Sequence, residues 1–182
     1  MVGMNFLKKE LEFSKMIDIE PQPVHRMVNV GDKAPSFTLI DTDLKMRSLD
    51  DFRGKKVVLS FFVAASSPVC TKEMCTFRDS WDEISKLGTQ VIGISNDGPF
   101  ANKAFAESQH LNFPVLGDYK SQTIRDYGVL MPDLLHVKGY DAAKRSVFIV
   151  DEKGNIAYKW VSDNPLIEPN YQEIIDFLKK GK

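Results

Sequence analysis

The stretch from residue 57 to residue 81 constrains the fold of this chain more than any other. It begins with seven almost entirely apolar residues, Val57-Val-Leu-Ser-Phe-Phe-Val63, which are rich in β-branched and aromatic side chains and predict a buried strand. A short polar turn follows. Ser67 then suits a helix N-cap and Pro68 suits the first helical position. The stretch therefore predicts a strand, a turn and a helix in close succession.

The predicted helix carries both cysteines of the chain, Cys70 and Cys75. Cys70 falls in the first turn, where unpaired N–H groups and the positive end of the helix dipole favour a thiolate. An apolar stripe typical of a core-facing helix surface runs on from Cys70. Its further members are Met74, Phe77, Trp81 and Ile84. We expect Cys70 to lie at the end of this stripe, at the floor of a small pocket.

Cys75 lies five residues after Cys70, about 140° round an α-helix, with the two Cα atoms roughly 8.6 Å apart. A disulfide requires a Cα separation below about 7 Å. A bond between the two cysteines would therefore require the first turns of the helix to unwind.

Composition narrows the class of protein. The chain has 182 residues, 43% of them hydrophobic, which suits a single globular domain. Its net charge is −1, from 24 basic and 25 acidic residues. With no basic stripe, no polybasic run and no apolar run of membrane-spanning length, we expect neither a nucleic-acid partner nor a membrane partner. The N-terminus does not resemble a secretory signal, and two close cysteines are more typical of catalysis, redox chemistry or metal binding than of a structural disulfide, so we predict a cytoplasmic protein.

The rest of the chain alternates strands and helices. We predict an N-terminal extension over 1–28, either a terminal helix lying on the domain or a docking arm, and one domain over 29–182. Predicted strands cover 30–40, 45–49, 57–63, 90–95, 113–117, 145–151 and 156–160, and predicted helices cover 68–88, 99–110, 121–127 and 170–180. The first two strands predict an N-terminal β-hairpin, and the last two predict a second hairpin. This order predicts an α/β fold with a central mixed β-sheet covered by helices.

The segment from Phe61 to Asp79 resembles the active-site segment of peroxiredoxins, most closely the Q-type or bacterioferritin-comigratory-protein group in its archaeal form. The resemblance covers about residues 28–180 and includes the run Lys144-Arg-Ser-Val-Phe-Ile-Val-Asp151. It implies a thioredoxin-like fold and reduction of hydrogen peroxide and organic hydroperoxides without a cofactor.

The resemblance also implies a role for individual residues. Cys70 matches the peroxidatic cysteine, Ser67 the hydroxyl that precedes it, and Arg145 the arginine brought from a distant strand. Cys75 matches the resolving cysteine of members that place it five residues along the same helix. Val63 departs from the family pattern, which has proline there, and we expect a Val63→Pro variant to react faster with peroxide.

A reaction cycle follows from these matches. Peroxide would oxidise Cys70 to a sulfenic acid, and Cys75 would condense with it to form an intramolecular disulfide. Thioredoxin or a similar dithiol protein would reduce that disulfide. The expected partners are thus a peroxide substrate and a dithiol reductant, and the protein is expected to be a monomer or a homodimer.

Other interpretations remain open at this point. A thiol–disulfide oxidoreductase or redox sensor is one, although the Cys-x2-Cys pair is absent. A metal-binding module built from Cys70, Cys75 and His136 is another. Glu73, one turn after Cys70, could either orient Arg145 or be an exposed helix carboxylate.

Overall fold

The structure, a computed structural model, describes residues 26–180 of the chain. The predicted extension 1–28 thus lies outside the described residues except for its last three. Two of those three adjoin the domain: Val28 is buried, and the Lys159 amine lies 3.7 Å from the Met27 sulfur. The chain therefore packs against the predicted domain, residues 29–182, from Met27 onward.

Nine strands lie within the described part of the chain. They are Thr38–Asp41 (β1), Met46–Ser48 (β2), Lys56–Phe61 (β3), Thr89–Ser95 (β4), Val115–Gly117 (β5), Leu130–Met131 (β6), Ala142–Ala143 (β7), Ser146–Val150 (β8) and Ile156–Val161 (β9). Seven form one sheet in the order β2-β1-β5-β4-β3-β8-β9, and β6 pairs with β7 separately. Strands β3, β4 and β5 are parallel, while β1, β2, β8 and β9 add antiparallel pairs. The predicted mixed sheet and both predicted hairpins are confirmed.

Five α-helices lie in the same range. They are Pro68–Asp79 (α1), Trp81–Lys86 (α2), Pro99–Ser108 (α3), Gln122–Asp126 (α4) and Tyr171–Lys180 (α5). The helix predicted over 68–88 is in fact two helices, because Ser80 leaves helical geometry with φ −91° and ψ 2°. Asp79 and Ser80 both have low helix propensity, which suits a break at this point.

Strand β3 lies inside the sheet, between β4 and β8. Phe61, its last residue, and Phe62, which directly follows the strand, point to opposite sides, as successive residues of an extended chain do. Phe61 packs against Tyr127 and Phe148 in one hydrophobic core, and Phe62 belongs to the other core together with Cys70. Because both faces of β3 are covered, every residue after Lys56 except Ser60 is apolar.

No helix within residues 26–180 is both long enough and apolar enough to cross a bilayer.

Candidate active site

The site begins where β3 passes into α1. Ser67 has extended backbone geometry, Pro68 is the first helical residue, and the Thr71 N–H donates to the Ser67 carbonyl over 2.8 Å. The predicted helix start is confirmed, and it places Cys70 in the first turn. The Ser67 side chain makes no capping hydrogen bond, so its hydroxyl is available to another group.

Asp97 holds the turn in front of this helix. Its carboxylate accepts the Ala65 N–H over 2.8 Å, and its own N–H donates to the Ser95 hydroxyl over 3.2 Å. A side chain at Gly117 would meet the Asp97 carbonyl at 2.7 Å, so only glycine lets β5 approach this closely. The loop after β4 therefore fixes the loop that leads to Cys70.

Arg145 reaches Cys70 because of strand pairing. It directly precedes β8, whose first residue, Ser146, pairs with Phe61 at the end of β3. Antiparallel pairing thus places the start of β8 beside the start of α1. The Arg145 Nη2 lies 3.4 Å from the Cys70 sulfur, and both residues are buried.

Glu73 lies on the other side of the guanidinium. It is fully buried and accepts a hydrogen bond from Arg145 Nη1 and another from the Ser60 hydroxyl, over 2.8 Å. An exposed helix carboxylate, one of the two roles considered for Glu73, is therefore wrong. Ser60, within β3, and Glu73, within α1, together fix the position of Arg145.

A third group, the carbonyl of Pro165, completes the surroundings of Arg145. It accepts from Nε over 3.0 Å and from Nη2 over 2.7 Å. The segment 162–168 that carries it is tied down by ion pairs of Lys72 with Glu168 and of Lys144 with Asp163. The guanidinium is therefore held among a thiol, a carboxylate and a carbonyl.

Burial disfavours the charged form of both Glu73 and Arg145. Loss of solvation raises the pKa of Glu73 to about 7, although the Arg145 charge and the Ser60 hydrogen bond act to lower it. Burial acts to lower the pKa of Arg145, but the charges of Glu73 and Cys70 outweigh it, so the net shift is upward. Arg145 stays cationic at every working pH, whereas Glu73 titrates near neutrality.

This pKa makes stability depend on pH through Glu73. The usual value is 4.5, so between pH 4.5 and about 7 the unfolded chain releases a proton that the folded chain keeps. Stability from this group is fully present below pH 4.5 and is lost as pH rises through about 7. We expect the wild type to lose about 2–3 kcal/mol more than Glu73→Gln between pH 5 and pH 8.

Urea denaturation of both fully reduced proteins at several pH values measures the difference. Every other titrating group is shared, so subtracting the two curves isolates Glu73. Parallel stability curves for the two proteins would contradict the raised pKa.

Cys75 lies away from this cluster. It is half-buried, both cysteines are free, and its sulfur lies 3.5 Å from Gln109 Oε1 just after α3. Since α1 is unbroken from Pro68 to Asp79, the two cysteine Cα atoms are too far apart for a disulfide unless the helix unwinds.

Val63 and Cys70 belong to the same hydrophobic core. The Phe62 N–H donates to the Ile94 carbonyl over 3.0 Å, just after the paired residues of β3 and β4. The next N–H, that of Val63, has no partner among residues 26–180. A proline at 63 would therefore remove no hydrogen bond.

The predicted position of Cys70 at the floor of a pocket needs correction. Cys70 lies at the end of the core-facing stripe, but it is fully buried rather than open to a pocket.

Within the part of the chain that the structure describes, no cluster of three His, Cys, Asp or Glu side chains could hold a metal ion, and His136 lies exposed on a separate loop. His25 lies outside the described residues.

The chain is similar in sequence to known proteins. The sequence profile of the AhpC/TSA family matches residues 30–159. The chain is 41% identical over 133 residues to the putative peroxiredoxin bcp of Coxiella burnetii, covering 73% of this chain and 88% of that protein. It is 40% identical over 152 residues to the protein of the same description from Haemophilus influenzae, covering 84% of this chain and 97% of that protein.

A solved structure agrees with these matches. The crystal structure of peroxidoxin BcpB from Mycobacterium tuberculosis superposes with a TM-score of 0.77 at 28% identity, covering 86% of this chain and 99% of that one. The predicted thioredoxin-like fold is confirmed, as is the resemblance to the Q-type and Bcp group.

Proposed function

The chain belongs to the AhpC/TSA family and is a thiol-dependent peroxidase of the peroxiredoxin kind, and from this premise we propose that Cys70 is the sulfur that attacks the peroxide. The observation that carries the proposal is the position of Cys70. Its sulfur lies in the first turn of α1 and 3.4 Å from a buried guanidinium. A helix N-terminus and a fixed cation both stabilise a thiolate, which is the reactive form.

In the first step the Cys70 thiolate attacks the distal peroxide oxygen in line. An S–O bond forms while the O–O bond breaks, and the departing hydroxide or alkoxide takes up a proton to leave as water or an alcohol. The Ser67 hydroxyl and the Cys70 N–H, at a helix start that leaves such groups unpaired, bind the peroxide. Arg145 stabilises the negative charge as it moves from sulfur to oxygen.

Substrate access requires a small movement. Because Cys70 is fully buried, the peroxide reaches the sulfur only when a neighbouring segment shifts. The two segments beside the site are the turn at 64–67 and the segment 162–168 that carries Pro165.

In the second step Cys75 resolves the sulfenic acid. An S–S bond forms between the two sulfurs, the S–O bond of Cys70 breaks, and the hydroxyl leaves with the thiol proton as water. Unwinding of α1 brings the two sulfurs together. Thioredoxin or a similar dithiol protein then reduces the disulfide, and a reducing compartment such as the cytoplasm supplies such dithiols.

Mass spectrometry after peroxide treatment tests this cycle. One equivalent of hydrogen peroxide added to the reduced protein should give a disulfide between Cys70 and Cys75, and thioredoxin with its reductase should reverse it. Sulfinic acid on Cys70 with Cys75 still free would overturn the resolving role. Two unmodified cysteines would overturn the assignment of Cys70.

A further inference from the structure

Gln109 is bound by two side chains of α1 at once. The Cys75 sulfur lies 3.5 Å from its side-chain oxygen, and Arg78 Nη1 donates to its backbone carbonyl over 2.6 Å. Cys75 and Arg78 are three positions apart, so they occupy the same side of the helix. The reaction sequence above uses neither Arg78 nor Gln109.

The Arg78 contact has a clear electrostatic basis. Gln109 is the C-cap of α3, and a helix C-terminus carries unpaired carbonyls and a partial negative charge. The last turn of α3 has no basic residue of its own. Arg78 supplies the missing cation from α1, so the bond joins the two helices.

Resolution requires this part of α1 to change. The cysteines are too far apart for a disulfide while the helix is intact, so Cys75 has to move relative to Cys70. A contact that holds Cys75 and Arg78 in the folded helix lowers the population of the unwound form.

We propose that Gln109 and Arg78 form a clamp that holds Cys75 in the folded helix and so sets how often the Cys70 sulfenic acid is resolved before it meets a second peroxide. The proposal rests on the proposed function, since it concerns the second step of that cycle. Gln109 and Arg78 are positioning residues in it, because they act through Cys75.

Two reactions compete for the sulfenic acid. In resolution, the Cys75 thiol displaces hydroxyl from Cys70, which gives the disulfide and water. In overoxidation, a second peroxide transfers one oxygen to Cys70, which gives sulfinic acid and water or an alcohol. A looser clamp favours resolution, and a tighter clamp favours overoxidation.

Substitutions of opposite effect test the clamp. Arg78→Met keeps the apolar stem and removes the guanidinium, and Gln109→Ala removes the oxygen that faces Cys75. Each should raise the ratio of the resolution rate to the overoxidation rate about fivefold, in line with the loss of one hydrogen bond. Gln109→Glu replaces the amide oxygen that faces the Cys75 thiol by a carboxylate, a stronger acceptor, and it should lower that ratio.

Arg53→Met is the matched control. Arg78 pairs with the adjacent Asp79, and Arg53 likewise pairs with a nearby aspartate, Asp50, but Arg53 is an exposed residue before β3, outside α1. The ratio of the resolution rate to the overoxidation rate in Arg53→Met should equal that of the wild type.

Acid quenching at successive times after mixing with hydrogen peroxide, followed by mass spectrometry, measures sulfenic acid, disulfide and sulfinic acid together. The expected result is less sulfinic acid for Arg78→Met and Gln109→Ala and more for Gln109→Glu. Equal ratios in all variants, or shifts of the same sign in all three, would overturn the clamp. Failure of the wild type to form the disulfide would instead overturn the proposed function.

Discussion

Replacing Arg145 by methionine is expected to slow the oxidation of Cys70 by hydrogen peroxide by about 10²- to 10³-fold. The size is that of losing one preorganised donor from a transition state that moves charge between atoms. Arg145 is fixed by Glu73 and by the Pro165 carbonyl before the substrate arrives, so no energy is spent on orienting it during the reaction. Methionine fills a similar volume and cannot supply the charge.

The fold needs its own control in this experiment. Arg145→Met leaves Glu73 buried without its cation, and removing one partner of a buried pair costs about 3–5 kcal/mol. The double variant Arg145→Met with Glu73→Gln removes both charges and should recover most of that stability while remaining slow. Stopped-flow oxidation and urea denaturation of the wild type, the single variants and the double variant give the two quantities separately. A double variant that reacts at the wild-type rate would show that Arg145 serves the fold alone.

Replacing Cys75 by serine is expected to abolish turnover with thioredoxin. Without Cys75 the sulfenic acid on Cys70 has no thiol within the chain, because the protein contains only two cysteines. Sulfenic acid should accumulate after one equivalent of peroxide and become sulfinic acid with excess. The first oxidation should remain fast, because Cys75 contacts Gln109 rather than Cys70.

A coupled assay that follows NADPH consumption, together with trapping of sulfenic acid by dimedone, measures both effects. Cys75→Ala is the matched variant, since it also lacks the thiol and should behave like Cys75→Ser. Unchanged turnover in either variant would show that an external thiol resolves the sulfenic acid directly.

Local sequence patterns predicted the part of the fold that holds the cysteines. The apolar run before Val63 required a strand buried on both faces, and Ser67 with Pro68 marked the start of α1 to the residue. These features depend on backbone geometry and burial over a few residues, which adjacent sequence determines.

The surroundings of Arg145 were not predictable in the same way. Spacing alone gave no reason to bring residue 145 to residue 70, and only the resemblance to peroxiredoxins did so. Glu73 remained ambiguous because a helix carboxylate at that position suits solvent unless a buried cation faces it. One signal was present: Ser60 is a polar residue within an apolar strand, and its hydroxyl bonds Glu73.

The sequence did not predict the long-range contacts made by loops, for a related reason. The Pro165 carbonyl and the Asp97 carboxylate act through loop positions that depend on the packing of the whole sheet. The break at Ser80 was also missed, because the apolar stripe continues at helical spacing across it and Ile84 is still buried.

The central claim is that the fold holds the Cys70 sulfur as a reactive thiolate beside Arg145. Stopped-flow measurement of the second-order rate constant for oxidation of Cys70 by hydrogen peroxide, in the Cys75→Ser protein so that only one sulfur reacts, tests it most directly. We predict a rate constant at least about 10²-fold above that of free cysteine at the same pH. A rate constant no greater than that of free cysteine would contradict the account.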